Sequence, residues 1–303
     1  MFNRNNDYLR GSLAVAGAAT LWGTNATVSK ALFNLKLDPL RLLEIRLVLA
    51  AGILLLVLLL FRRDLLHINR ADWPYFLVLG IVGLAMVQLT YLYTISLTGV
   101  ALAVFLQYLA PIFVSVYTML ATRRWLAGRR LFGIGVAILG SALLVLPGAG
   151  GQLSLPGLLS GVGSAVFLAF YTIWVKRKAD VYSGWTILVY GMSIAAVAWS
   201  LIVPPWRAFS LSYSSSMQLA FLYIAVFSTI IPFGLYFLGL RFIDPTTATV
   251  TAMLEPVIAA GTAFLFLKER LLPLQLAGAV SILLAVLLTQ RRTLAHMATE
   301  KEK

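Results

Sequence analysis

The chain contains two sparsely identical copies of one segment, 145 residues apart, and both copies lie in strongly apolar surroundings. Residues 99–111 align with residues 244–256, so that Pro111 falls on Pro256. Two related halves of this length constrain the fold to one architecture built twice. In a membrane protein, an internal repeat is typical of transporters, because two related halves can move about a site between them.

The composition places the chain in a membrane. Of its 303 residues 60% are hydrophobic and only 12% are charged, with a mean hydropathy of +0.91. A soluble globule has a lower apolar fraction, since it must solvate its surface. The net charge of +13 does not indicate nucleic-acid binding, because the Lys and Arg residues lie between apolar runs. We therefore expect the lipid bilayer as a partner and no nucleic acid.

Cysteine is absent, which excludes disulfides, thiolate metal sites and cysteine nucleophiles. The two histidines, His67 and His296, fall in a predicted loop and in the C-terminal tail. No GxxxxGK[ST] motif is present, so the chain has no P-loop of its own and no ATPase subunit is implied. We expect no catalytic residues, no metal and no cofactor.

Ten apolar segments are long enough to cross a hydrocarbon core of roughly 30 Å as helices. They fall at about 12–32, 40–61, 74–96, 100–120, 131–147, 155–175, 184–203, 217–239, 246–267 and 273–290. Each half contributes five spans. Because five is odd, the second half enters the membrane in the opposite orientation. The sequence predicts an all-α polytopic membrane protein with ten transmembrane helices in two inverted five-helix repeats.

The distribution of Lys and Arg predicts the orientation, since cytoplasmic loops carry an excess of both. With both termini cytoplasmic, most of the 24 basic residues lie inside. Those outside are Lys36, Arg207, Lys268 and Arg270. We expect a protein of the inner (plasma) membrane with cytoplasmic segments 1–11 and 291–303 around the repeats 12–147 and 155–290.

Two acidic residues, Glu44 and Glu255, lie within spans. Glu255 is near the centre of span nine, where a carboxylate is costly unless it is paired or hydrated. With Thr251, Ala259 and Thr262 it would form one polar helical face. Two interpretations stay open: a substrate or coupling-proton contact, or a structural carboxyl that joins helices.

Span two carries Arg41, Glu44 and Arg46 near its outer end. Arg41 and Glu44 are three residues apart and can pair on one helical face. Snorkelling to the interface accounts for Arg41. Arg46 lies one to two turns deeper and is harder to explain in that way.

Aromatic and amide side chains occur at helical spacing within several spans. Such residues are expected to face a cavity, and a cavity walled by rings and a few hydrogen-bonding groups suits a small organic solute. The alternative is hydrogen bonding between helices. The predicted cavity-lining, substrate-binding residues are Trp22, Asn25, Gln88, Tyr91, Phe105, Tyr108, Tyr171, Trp174 and Tyr236. Pro111, Pro232 and Pro256 lie in mid-span and predict kinks in three helices.

These residues resemble a known pattern. Leu21-Trp-Gly-Thr-Asn-Ala in span one, Pro39 with Arg46 in span two, and Tyr91 followed by Pro111 resemble the first half of the drug/metabolite transporter superfamily. The second half, with Leu254-Glu-Pro256, Lys268-Glu-Arg270 and Gln275-Leu-Ala-Gly278, is similar to the EamA repeat. The resemblance covers about residues 12–290. It implies ten helices in two inverted repeats and a central cavity formed by spans one, three, four, six, eight and nine.

The resemblance also implies alternating access, and many such proteins export amino acids and related metabolites. We therefore expect a secondary transporter, not an enzyme, that exports small metabolites, most specifically aromatic amino acids. One alternative is a passive channel or facilitator for a purine, sugar or organic cation. Another is a membrane-embedded enzyme, although the sequence shows no set of acid, base and nucleophile. The sequence does not determine the oligomeric state.

Overall fold

The computed structural model describes residues 4–98, 100–148, 154–209, 213–267 and 272–299, and within these ranges it contains helices and no strand. The α-helices are α1 (Arg4–Asn34), α2 (Pro39–Phe61), α3 (Trp73–Val78), α4 (Met86–Thr98), α5 (Val100–Gln107), α6 (Ala110–Thr122), α7 (Gly128–Val145), α8 (Leu155–Lys178), α9 (Gly184–Ser200), α10 (Pro205–Ala208), α11 (Ser215–Ala225), α12 (Ile231–Phe242), α13 (Pro245–Ala252), α14 (Glu255–Leu267) and α15 (Pro273–Thr299). Two π-helical segments, Leu79–Ala85 and Val226–Ile230, join α3 to α4 and α11 to α12.

Polar caps followed by proline start several of these helices. Asp38 accepts a hydrogen bond from the backbone N–H of Leu40 at the start of α2, and Ser154 accepts one from Gly157 in α8. A cap of this kind satisfies a backbone donor that the first turn leaves free, while proline has no such donor to satisfy. The sequence therefore defines where these apolar helices begin.

The helix boundaries repeat at the offset found in the sequence. Counterparts α2 and α9 begin at residues 39 and 184, and α7 and α15 at 128 and 273. The short helices α6 and α14 begin at 110 and 255, again 145 residues apart. The two halves thus share one pattern of helices and breaks.

The packing of α7 against α15 shows that the halves are inverted. Gly140 of α7 lies against Gly278 of α15, and Gln275 Nε2 donates to the carbonyl of Leu144 over 3.2 Å. The C-terminal end of α7 therefore meets the N-terminal end of α15. Because these helices are counterparts that run antiparallel, one repeat is upside down relative to the other.

The two repeats pack into each other. Helix α1 packs along α12 of the second half, with Gly11 against Gly239, and its counterpart α8 packs along α4 of the first half, with Gly157 against Thr98. One hydrophobic core extends over both repeats and includes the buried side chains of Phe76, Leu188 and Phe237. Because the first helix of each half lies against the other half, the centre of the bundle is built jointly.

Six described helical segments are long and apolar enough to cross a membrane: Leu40–Phe61, Arg70–Thr98, Leu102–Thr122, Gly128–Val145, Leu155–Lys178 and Ser215–Phe242. Gly184–Ser200 and Pro273–Leu288 are shorter apolar helices. The predicted all-α polytopic fold is confirmed.

Spans four and nine are not single helices. α5 and α6 are separated at Tyr108–Leu109, and α13 and α14 at Met253–Leu254. The predicted continuous face from Thr251 to Thr262 is therefore wrong, because Glu255 begins a new helix after the break. The adjacent prolines explain the breaks, since proline cannot donate the backbone hydrogen bond that would continue the helix.

The predicted pairing of Arg41 with Glu44 is also wrong. Glu44 is fully buried and faces α9, where Ser200 Oγ donates to its Oε1 over 2.7 Å, while Arg41 is exposed. The i,i+3 spacing permits the pair, but the helix turns Glu44 toward its neighbour and Arg41 toward the surface. Glu44 is thus a contact between α2 and α9.

Candidate functional site

A cavity of about 190 Å³ lies at the centre of the bundle, between the two repeats. Its walls come from α1, α2, α4, α5, α6, α8, α12, α13 and α14, and include the break at Tyr108. The lining residues are Trp22, Arg46, Val87, Gln88, Tyr91, Gln107, Tyr108, Ala110, Pro111, Leu168, Tyr171, Phe233, Tyr236, Thr249, Ala252 and Glu255.

Seven of the residues singled out in the sequence for this centre line the cavity together. They are Trp22, Gln88, Tyr91, Tyr108, Tyr171, Tyr236 and Glu255. The side chain of Asn25 lies outside the described residues. Their role in substrate binding stays a prediction, while their common location is a property of the fold.

Phe105 was expected at the cavity and does not line it. Gln107, Tyr108 and Pro111 do, and on an ideal helix Phe105 points about 160° away from Gln107. Its spacing of three from Tyr108 predicted a shared face. Because α5 ends at Gln107, Tyr108 lies beyond the helix and the helical spacing from Phe105 does not extend to it.

Trp174 was also expected at the cavity, and it packs elsewhere. Its ring stacks on Tyr75 with centroids 5.8 Å apart, and its Nε1 donates to the carbonyl of Tyr75 over 3.1 Å. The guanidinium of Arg177 lies 4.4 Å from the centroid of the same ring. Trp174 therefore ties α8 to α3, one turn beyond the cavity residue Tyr171.

Each mid-span proline is the second residue of a helix that follows an irregular segment. Pro111 and Pro256 follow the breaks in front of α6 and α14, and Pro232 follows the π-helical segment in front of α12. The breaks place Ala110 and Glu255, which are counterparts in the repeat, on the cavity wall. One wall position is thus a methyl group and its counterpart is a carboxyl group.

Arg46 and Glu255 bring opposite charges to the cavity. Arg46 Nε donates to Thr229 Oγ1 over 2.7 Å, and Tyr108 lies on the cavity wall with Glu255. Both side chains line the cavity, and in the described structure no ion pair joins Arg46 to Glu255. Thr229 therefore holds Arg46 in place without neutralising it.

Aromatic rings form another part of the wall. Trp22 lies edge-on to Phe233 with centroids 5.2 Å apart and is 5.6 Å from the ring of Tyr236. The ring of Tyr171 is 6.3 Å from Phe233, and Tyr236 shares a 3.0 Å hydrogen bond with Thr172. These contacts fix the rings in place, as edge-to-face pairs do in protein cores. They provide a rigid apolar surface.

Sequence reasoning did not assign Arg46, Gln107 or Thr249 to the cavity. Arg46 had a signal, because it is a charge deeper in a span than snorkelling explains. Gln107 had one as a mid-span amide, and the structure pairs its Nε2 with Ser164 Oγ over 2.9 Å. Thr249 had none, because threonine commonly bonds its own helix, as it does here to the carbonyl of Pro245. In the described ranges, no group of three His, Cys, Asp or Glu side chains could hold a metal ion.

Comparison with known proteins agrees with this architecture. The profile of the EamA-like transporter family matches residues 9–146 and again residues 155–291. An uncharacterized inner membrane transporter of Salmonella typhimurium, YicL, is 30% identical over 266 residues, which are 85% of this chain and 87% of that protein. The uncharacterized transporter YvbV of Bacillus subtilis is 25% identical over 95% of this chain and 94% of its own length.

A relative with a named cargo is the pseudopaline exporter CntI of Pseudomonas aeruginosa, which is 27% identical over 78% of this chain and 82% of that protein. A protein of known crystal structure shares the fold with a TM-score of 0.79 and 20% identity, over 93% of this chain and 98% of that one. The family profile matches both repeats, and the residues that line the cavity lie within the matched ranges. The chain is an integral membrane protein that belongs to the EamA-like transporter family, within the drug/metabolite transporter superfamily.

Proposed function

We propose that this transporter exports small metabolites of the amino-acid type, aromatic amino acids among them, across the inner membrane by alternating access. One observation carries the proposal: repeat-related positions of the two inverted halves line a single cavity. The counterparts are Gln88 and Phe233, Tyr91 and Tyr236, Gln107 and Ala252, and Ala110 and Glu255. Inverted repeats around one central site are the arrangement in which relative movement exposes that site to each side in turn.

The chemistry of the wall supports the substrate class. Rings and amides suit a small organic solute that has an apolar part and several polar groups. The relative CntI is named an exporter, which supports outward transport. The excess of Lys and Arg in the predicted inside segments supports cytoplasmic termini.

The test is counterflow in liposomes that contain the purified full-length chain. Vesicles loaded with one unlabelled amino acid should accumulate the labelled form of the same amino acid. The flux should saturate as the concentration of the labelled amino acid rises. Saturable, trans-stimulated flux separates a transporter from a passive channel, whose flux rises linearly with concentration. Absence of counterflow for every amino acid and related metabolite would overturn the proposal.

A further inference from the structure

We infer that Arg46 and Glu255 are the two ends of a zwitterion site, in which Arg46 binds a substrate carboxylate and Glu255 binds the ammonium group of the same molecule. This inference rests on the proposed function and deepens it, because it defines which charges a substrate must carry. The geometric basis is the arrangement of the two groups, which share one cavity and do not touch.

Arg46 is held in place from outside the cavity. Thr229 lies in the π-helical segment before α12 and accepts from Arg46 Nε, while its own hydroxyl donates to the carbonyl of Ile224 over 2.9 Å. In the described part of the chain, no other hydrogen bond involves the Arg46 side chain. The two Nη groups are therefore available for a planar acceptor, and a carboxylate matches their geometry.

Glu255 is the first residue of α14, and it shares the cavity wall with Tyr108, at the break between α5 and α6. A carboxylate accepts at two oxygens, so Glu255 can take donors from a ligand in the cavity. An ammonium group supplies three donors and the complementary charge.

The separation of the charges decides between a substrate site and a structural ion pair. A structural pair in a low-dielectric interior gains from direct contact, because an uncompensated charge there is costly. Arg46 and Glu255 lack that contact. A zwitterion between them satisfies both charges without first breaking an ion pair, and the combined charge of site and ligand stays zero. An amine without a carboxylate leaves Arg46 unpaired, and an acid without an amine leaves Glu255 unpaired.

The aromatic wall completes the site. Trp22, Phe233 and Tyr236 form a ring cluster in the same cavity. A zwitterion held between Arg46 and Glu255 can place an apolar side chain against these rings. The site therefore fits an amino acid with an apolar or aromatic side chain better than a sugar or a quaternary amine.

The test compares ligands that differ by one charged group. L-phenylalanine is measured against phenethylamine and 3-phenylpropionate, and L-leucine against isoamylamine and 4-methylpentanoate, by ligand-induced stabilisation of the purified full-length chain. A ligand that binds the folded state raises its melting temperature. We expect the wild type to bind each amino acid about 10- to 100-fold more tightly than either analogue, as expected when one charged hydrogen-bonding contact is lost.

The variants should separate the two ends. In Arg46→Gln we expect discrimination against the amines to disappear while discrimination against the acids remains, and in Glu255→Gln the reverse. Arg46→Lys keeps the charge and should retain part of the wild-type preference. The matched controls are Arg41→Gln, an exposed cation of α2, and Glu44→Gln, a buried acid outside the cavity. Both should bind all six ligands as the wild type does.

Equal binding of amino acids, amines and acids by the wild type would overturn the inference. So would equal weakening of all ligands in both variants, or a Glu255→Gln variant that alters only the pH dependence of flux. Flux of amines or acids but not of amino acids would leave the transporter proposal standing and refute the zwitterion site. Charge-selective binding without counterflow would support the zwitterion site and refute the transporter proposal.

Discussion

At the scale of single residues, Glu44 is an acidic group buried away from the cavity. It is fully buried, Ser200 Oγ donates to its Oε1, and its Oε2 has no hydrogen-bond partner in the described part of the chain. A buried carboxylate without a cation is costly. The favourable part of this contact is the bond from Ser200, which links α2 to α9.

Loss of the Ser200 hydroxyl should therefore destabilise the protein more than neutralisation of Glu44. We expect Ser200→Ala to lower the free energy of unfolding by about 0.5–1.5 kcal/mol, the contribution of a typical hydrogen bond. Glu44→Gln keeps the acceptor and the shape and should leave stability equal or higher. Thermal unfolding of both variants in detergent measures this, and a larger loss in Glu44→Gln than in Ser200→Ala would contradict the structural interpretation.

The same scale shows what a sequence can reveal of the site. Tyr91, Tyr108 and Glu255 were identifiable because mid-span polar groups are costly in lipid, so they must face protein or a cavity. Phe105 and Trp174 were misplaced because helical spacing gives a face but not its neighbour. For Phe105, α5 ends at the break before Tyr108. For Trp174, α3 covers the ring. Such effects depend on contacts between distant segments.

At the scale of helices, close approach between α7 and α15 depends on glycine. A Cβ on Gly140 would lie 2.8 Å from the carbonyl oxygen of Gly278, and one on Gly278 would lie 2.6 Å from that of Gly140. Both contacts are with backbone, so the helices would have to separate. Gly135, on α7, has open space at the same position.

We therefore expect Gly140→Ala to destabilise the protein by about 1–3 kcal/mol, the usual cost of overpacking. Gly135→Ala should be neutral or stabilising, because alanine favours a helix by about 1 kcal/mol over glycine. Thermal unfolding in detergent compares the two. Equal effects of the two substitutions would show that α7 and α15 do not approach closely in the protein.

The break before α14 is a second property of helices with a direct consequence for the site. Pro256 lacks the N–H that would bond the carbonyl of Ala252, and Glu255 begins α14 beside it. With Pro256→Ala the helix can continue through the break, and the Glu255 carboxyl would rotate away from Tyr108. We expect transport to fall severalfold while the melting temperature is maintained.

The control for this substitution is Pro273→Ala, since Pro273 begins α15 at a surface end where a new N–H meets no break. Transport and melting temperature should both be unchanged in it. Wild-type transport in Pro256→Ala would mean that the orientation of Glu255 does not depend on the break.

At the scale of the whole molecule, the repeat carries most of what the sequence could predict. The 145-residue offset paired residues 99–111 with residues 244–256, the segments that hold the breaks before α6 and α14, and the odd number of spans per half predicted the inversion that α7 and α15 display. The interlocking of α1 with α12 and of α8 with α4 could not be predicted from the offset. An inverted repeat can pack side by side or interlocked, and that choice depends on which small residues meet across the interface.

One end of the bundle is closed by packing and by charge. We define the N-terminal face as the end that holds the start of α1 and the ends of α2, α8 and α12. Below the cavity at this face, Phe237, Leu240 and Ile243 are buried. Arg130 at the start of α7 bonds Asp244, the N-cap of α13, over 3.0 Å. Movement that separates the start of α7 from the start of α13 at this face would break this bond.

Asp244→Asn tests the contribution of the Arg130–Asp244 bond, because asparagine still caps α13 but no longer pairs with Arg130.

The native chain has no cysteine, so a single Ala252→Cys substitution provides a specific label on the cavity wall. A half-exposed ion pair contributes at most about 1 kcal/mol, which corresponds to an expected two- to fivefold rise in labelling by an impermeant maleimide added at the N-terminal face. In the protein that keeps Asp244, raised salt should also increase the labelling, but by less than Asp244→Asn does, because salt only screens the ion pair. Asp38→Asn, which removes a capping charge at the start of α2 on the opposite face, should leave labelling unchanged. Unaltered labelling in Asp244→Asn would mean that apolar packing alone keeps the face closed.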